Sequence, residues 1–144
     1  MKCILHIGTE KTGSSAIQQW LYNNKRNLSE NKVFLSENLS KPNNRIFSLL
    51  FREDFDICDF CKRNNISSKV ELEALKVKAL KNLKDEIIQN SKTHEIFVIS
   101  SEHLHSRIRK IQEIRNIKEF LSQYFDEIKI ICYLIIIQQL RNIN

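Results

Sequence analysis

Glycine occurs at only two positions in this chain of 144 residues, Gly8 and Gly13, and both fall in one eight-residue segment, Gly8-Thr9-Glu10-Lys11-Thr12-Gly13-Ser14-Ser15. Glycine is the residue used where backbone must take a positive φ or approach another group closely. Here that freedom is confined to one place. The segment before it, Cys3-Ile4-Leu5-His6-Ile7, is a short apolar run of the kind found in buried parallel strands. The segment after it, Ala16 to Asn24, puts Ile17, Trp20 and Leu21 at helical spacing and is expected to turn that face inward. The order is strand, glycine loop, helix. It aims the amides and dipole of a helix N-terminus at the loop, which makes an anion site.

The rest of the chain alternates in the same way. Val33-Phe34-Leu35 reads as a short strand, and Arg45 to Phe51 reads as a helix after Pro42, the only proline. Residues 52–68 begin acidic and are expected to form short helix and loop. Ser67 or Ser68 is placed to cap a long helix from about Lys69 to Asn90. Leu72, Leu75, Leu80, Leu83 and Ile87 mark its apolar stripe, with its lysines and glutamates turned to solvent. Ile96-Phe97-Val98-Ile99 is a strong buried strand ending in Ser100-Ser101-Glu102-His103. Ile111, Ile114, Ile117, Leu121 and Phe125 mark a further amphipathic helix, and Ile128 to Ile137 reads as a last strand. Strands alternating with helices imply an α/β fold, a mainly parallel sheet flanked by helices. No repeat or linker divides residues 1–144, so one domain is expected.

Composition excludes several classes. Apolar residues are 42% and charged residues 28% of the chain, as in ordinary globular proteins. No apolar run reaches the ~20 residues of a membrane span, and Met1-Lys2 runs too soon into the first strand for a signal peptide. A cytoplasmic location is the expectation, with Cys3, Cys58, Cys61 and Cys132 as free thiols. Cys58-x-x-Cys61 lacks a second ligand pair and reads as packing cysteines, so no metal is expected. The net charge of +6 suits an anionic ligand. The lysines are spread along helices without interleaved aromatics, so nucleic acid is not expected as a partner.

The glycine spacing fits a phosphate loop of the Walker type, G-x-x-x-x-G-K-[ST], but Ser14 stands where that lysine belongs and Lys11 precedes the second glycine. The displacement argues against an ordinary nucleotide hydrolase or kinase, which remains the alternative reading. His6-Ile7-Gly8-x-x-Lys11-Thr12-Gly13-Ser14-Ser15-x-x-x-Gln18-x-x-Leu21 resembles the 5′-phosphosulfate loop of the P-loop sulfotransferases, which use 3′-phosphoadenylyl sulfate (PAPS) as donor. Pro42-Asn43-Asn44-Arg45 resembles a Pro-Asn-His stretch of bacterial members. Val98-Ile99-Ser100-Ser101-Glu102-His103-Leu104 resembles a strand end of the same group, and Ile128-Lys129-Ile130-Ile131-Cys132-Tyr133-Leu134 resembles the strand that carries the 3′-phosphate motif.

The resemblance implies a three-layer P-loop-type fold and transfer of a sulfuryl group from PAPS to a hydroxyl or amine of a carbohydrate, lipid or small molecule. Lys11 would neutralise charge as the sulfuryl group leaves. The backbone amides of Gly13, Ser14 and Ser15 would hold the 5′-phosphate, with the hydroxyls assisting, and Lys11 and Thr12 complete the donor-binding set. Glu102, expected at the carboxyl end of its strand, is the candidate general base, with His103 and His105 behind it. An alternative role for Glu102 is to cap the next helix or to pair with Arg107 or Arg109. Asn44 replaces a histidine of related sequences with an amide that cannot act as a base.

The last strand departs from the family pattern. Leu134 is followed by Ile135-Ile136-Ile137-Gln138-Gln139-Leu140, where an arginine and a later serine would hold the 3′-phosphate. Losing that cation removes charge-assisted bonds worth about 1.5–3 kcal/mol each, so weak donor affinity is expected. The chain therefore resembles the N-terminal portion of a sulfotransferase, with the fold incomplete at its C-terminus. A non-catalytic remnant is the reading that follows if no donor binds.

Overall fold

The computed structural model describes residues 1–9, 13–54 and 59–133. Four strands, β1 (Lys2–Ile7), β2 (Val33–Leu35), β3 (Ile96–Ser100) and β4 (Glu127–Cys132), form one sheet in the order β2-β3-β1-β4. All three pairings are parallel, so every strand points its carboxyl end to the same edge. Helices α1 (Ser14–Asn23) and α2 (Lys25–Glu30) lie between β1 and β2 in the chain. Helices α3 (Arg45–Phe51), α4 (Asp59–Arg63) and α5 (Lys69–Asn90) lie between β2 and β3, and α6 (His103–Arg107) and α7 (Ile111–Ser122) between β3 and β4. The α/β architecture with a parallel sheet flanked by helices is thus present. Among the described residues no helix is long and apolar enough to cross a membrane.

Alternation along the central strands sorts their side chains. Cys3 faces Phe97 across the β1–β3 pair and Leu5 faces Ile99, so these four share one face. They are buried against Leu83 and Ile87 of α5, Ile117, Phe120 and Leu121 of α7, and Phe47 of α3. Burial in this apolar surround pushes the Cys3 thiol up to about 12. The other face of the same strands carries Ile4 and His6 beside Val98 and Ser100. A second cluster joins Leu49, Phe60, Cys61, Ile66 and Leu72. Cys61 is a buried packing residue there, while Cys58 lies outside the described residues.

The long helix starts where the capping residues place it. Ser68 Oγ accepts from the Glu71 N–H, and the Glu71 carboxylate accepts from the backbone N–H of Ser67 and Ser68, a capping box. Its inward arc is Leu72, Ala79, Leu83, Glu86 and Ile87. The expectation that its glutamates all face solvent fails at Glu86, which sits one residue before Ile87 and shares its arc. Glu86 Oε1 accepts from the backbone N–H of Glu37 and Asn38, and Oε2 accepts from Ser36 Oγ. Burial raises its carboxyl above the ordinary range despite these donors.

Two other helical faces differ from the sequence reading. In α1 the buried residues are Ser14 and Gln18, Ile17 and Leu21 are half-buried, and Trp20 is 58% exposed. Residues advance about 100° along a helix, so Trp20 lies roughly opposite Gln18 and cannot share its face. In α7 the inward arc is Glu113, Ile117, Phe120 and Leu121. The spacing of three from Ile117 back to Ile114 and Ile111 drifts off that arc, and both are exposed. Phe125 is buried beyond the helix end. The last strand is described only to Cys132, and the expected continuation to Ile137 lies outside the described residues.

Candidate functional site

Strand β1 is central, between β3 and β4, and its carboxyl end leads through Gly8 and Thr9 toward Gly13 and α1. Lys11 and Thr12 lie outside the described residues. The two glycines serve different needs. Gly13 is the N-cap of α1 with φ +80°, a conformation that strains any residue with a Cβ. A Cβ on Gly8 would stand 2.6 Å from Ser14 Cβ, nearer still to its Oγ, and 3.0 Å from Glu102 Cβ. The strand end, the helix start and the end of β3 therefore meet around one hydrogen atom.

The loop is tied at both ends. Ser14 Oγ donates to Thr9 O at 3.1 Å, and Thr9 Oγ1 donates to Tyr133 O, beyond β4, at 3.0 Å. The N–H groups of Ala16 and Ile17 reach Gly13 O, the first bonds of the helix. The amides of Ser14 and Ser15 precede these and have no intrahelical acceptor, as at every helix start. Ser15 is exposed, whereas Ser14 is buried.

Three buried polar atoms near these strand ends have no hydrogen-bond partner among the described residues: His6 Nε2, Gln18 Nε2 and Ser101 Oγ. Native interiors rarely leave such groups unmatched. His6 Nδ1 lies 2.7 Å from Ser100 Oγ, and its ring packs edge-on against Tyr133. Burial lowers the His6 pKa, so the imidazole is neutral near pH 7. Gln18 is four residues past Ser14 and shares its helical face. The sequence offered that spacing, and only the assumption that apolar residues would lead the inward face concealed it.

Glu102 follows Ser101, whose N–H donates to His6 O at 3.0 Å as the last link between the β1 and β3 ends. Its side chain makes no capping bond to α6, and His103 Nε2 lies 3.9 Å from its Oε1. Neither Arg107 nor Arg109 pairs with it among the described residues. His105 is exposed.

Asn44 has a structural task. Fully buried, with φ +42°, it donates from Nδ2 to Ser36 O at 2.9 Å and accepts at Oδ1 from the Ser100 N–H at 2.9 Å. It staples the end of β2 to the end of β3, beside the loop. Among the described residues no group of His, Cys, Asp and Glu side chains is arranged to hold a metal ion.

No protein-family profile matches the chain, and no curated protein or solved structure matches it significantly.

Proposed function

We propose that the segment from Gly8 to Ser15 binds the 5′-phosphosulfate end of a nucleotide sulfate donor of the PAPS type, and that the chain is a sulfotransferase-like protein of three-layer P-loop architecture. The right-handed rule for parallel crossovers supports that architecture. The β1-to-β2 connection runs toward one edge of the sheet, and the later two run back, so α1–α2 and α5–α7 belong on opposite faces. The observation that carries the functional reading is the meeting of Gly8, Ser14 and Glu102, which sets a helix N-terminus and a carboxylate at the same edge of a parallel sheet. Ligands of such sheets sit outside the carboxyl ends of the strands.

In this reading the amides of Gly13, Ser14 and Ser15 hold the 5′-phosphate. An acceptor oxygen or nitrogen attacks sulfur while the bond from sulfur to the phosphate oxygen breaks. Lys11 offsets the negative charge that grows on that leaving oxygen, the electrostatic contribution that dominates such transfers. Glu102 takes the proton the acceptor loses. The products are the sulfated acceptor and adenosine 3′,5′-bisphosphate.

Backbone amide NMR tests the assignment. Adenosine 3′,5′-bisphosphate is expected to shift Gly13, Ser14, Ser15 and Glu102 without magnesium. Shifts that appear only with ATP and Mg²⁺ would instead support a nucleotide kinase or hydrolase, and no shift with either would leave a non-catalytic fold.

A further inference from the structure

The first turn of α3, the residue just past its end, and both ends of α6 supply a basic niche. Arg45, Arg52, Arg107 and His103 line it, over Ser48 and Phe60. Arg52 is nine-tenths buried and Arg45 and Arg107 are half-buried, so these are not freely solvated side chains. The guanidinium of Arg45 lies over the Phe60 ring, 5.8 Å from its centroid. Of the nearby carboxylates, Glu53 and Asp54 pair with Lys110, and Asp54 also feels the charge of Arg52. Among the described residues the guanidinium groups of Arg45 and Arg107 have no ion-pair or hydrogen-bond partner.

Arg45 and Arg107 are two cations at one niche and repel each other, and as half-buried guanidinium groups without side-chain acceptors they lose part of their hydration. An oxyanion relieves both costs, and arginine forks match carboxylate and sulfate oxygens in pairs. The open volume is only about 10 Å³, room for one water-sized group. The niche therefore takes only the outermost oxygens of a ligand's anionic group, with the rest of that group and the molecule outside it. Its position gives that ligand a direction. His103 follows Glu102, and Glu102 Cβ is 3.0 Å from where a Gly8 Cβ would be.

We propose that this niche anchors the carboxylate or sulfate group of an acidic acceptor, and that the rest of the acceptor extends toward Glu102 and the loop. The acceptor class is thus an oxyanion-bearing molecule, while the assignment of Glu102 as base rests on the donor-binding reading above. Arg45 and Arg107 are specificity residues that hold the acceptor through its charge and take no part in the transfer.

The test is calorimetric titration of the full chain with glucuronate, glucose 6-sulfate and glucose, and separately with adenosine 3′,5′-bisphosphate. Saturable binding of one or both charged sugars is expected, none of glucose, and at least about tenfold weaker binding in Arg45→Gln/Arg107→Gln, with bisphosphate binding unchanged. The two charged sugars distinguish a carboxylate from a sulfate ester. Equal binding of charged sugars by wild type and variant, or wild-type binding no better than that of glucose, would overturn the proposal. Loss of the donor reading is separable: if the bisphosphate fails to bind while the charged sugars bind through the arginines, the niche stands as an oxyanion site. Should the variant not fold, the Nε–H resonances of Arg45 and Arg107 in the wild type decide. They are expected to shift with the charged sugars and not with glucose, and their failure to move refutes the niche.

Discussion

Gly8 and Ser14 are in such close contact that no side chain fits between them: a Cβ on Gly8 would lie 2.6 Å from Ser14 Cβ. Ser14 cannot retreat easily, because its hydroxyl donates to Thr9 O. Gly8→Ala is therefore expected to destabilise the fold by about 1–3 kcal/mol, the usual cost of overpacking. Ser14→Gly in the same chain is expected to recover part of that loss. Urea unfolding of the two variants checks this, and a Gly8→Ala chain as stable as the wild type would refute the close packing of the loop.

The Asn44 staple predicts a second loss. Asn44→Ala leaves the Ser36 carbonyl and the Ser100 N–H without their partners in a buried site, at about 1–3 kcal/mol each, and places alanine at a positive φ. A loss of roughly 2–6 kcal/mol in unfolding free energy is expected. A loss below about 0.5 kcal/mol, typical of an indifferent surface site, would contradict the staple.

Two buried carboxylates should give opposite pH dependences. Burial alone would raise the Glu113 pKa, but the backbone N–H groups of Arg109, Glu53 and Lys110 outweigh it and hold the carboxyl below its ordinary 4.5. Its contribution is fully present above the unfolded value and is lost as pH falls through the folded one. Glu113→Gln should therefore lie furthest below the wild type near neutral pH, and the gap should close in acid. A gap independent of pH would contradict this.

Glu86 behaves in the reverse sense. Its folded pKa is raised, chiefly by burial, so the stability tied to its protonated form is present below the unfolded value and lost as pH rises through the folded one. Glu86→Gln keeps an oxygen for the Glu37 and Asn38 amides and offers an N–H to Ser36 Oγ. It is expected to equal or exceed the wild type in stability at pH 7, whereas Glu86→Ala should cost about 1–3 kcal/mol. Thermal melts at pH 4 and 7 distinguish these outcomes.

Where one physical rule acted alone, the sequence was readable. Val33–Leu35, Arg45–Phe51 and Lys69–Asn90 follow from apolar runs, the stop at Pro42 and the Ser68 cap. The faces of α1 and α7 are not readable from apolar spacing, because polarity does not imply exposure there. Ser14 and Gln18 turn inward beside the loop, and Glu113 turns inward because three backbone amides await it. Two of those amides, of Arg109 and Lys110, belong to the local cap of α7, and only the third, of Glu53, comes from distant chain. Tertiary structure likewise decides Asn44, whose two partners are 8 and 56 residues away, and Arg45 and Arg107, which α3 and α6 bring to one niche. The approach of Gly8 to Glu102 was implicit in parallel strands ending at one edge, but its closeness was not.

The central claim is that the loop between β1 and α1 holds the phosphate end of a sulfate donor. Titration calorimetry with adenosine 3′,5′-bisphosphate, on the wild type and on Lys11→Ala, tests it most directly. Saturable one-to-one binding by the wild type without metal, weakened about tenfold or more in Lys11→Ala by loss of a charge-assisted contact, is the expected result. Absence of binding at millimolar ligand, or equal binding by both proteins, would contradict it.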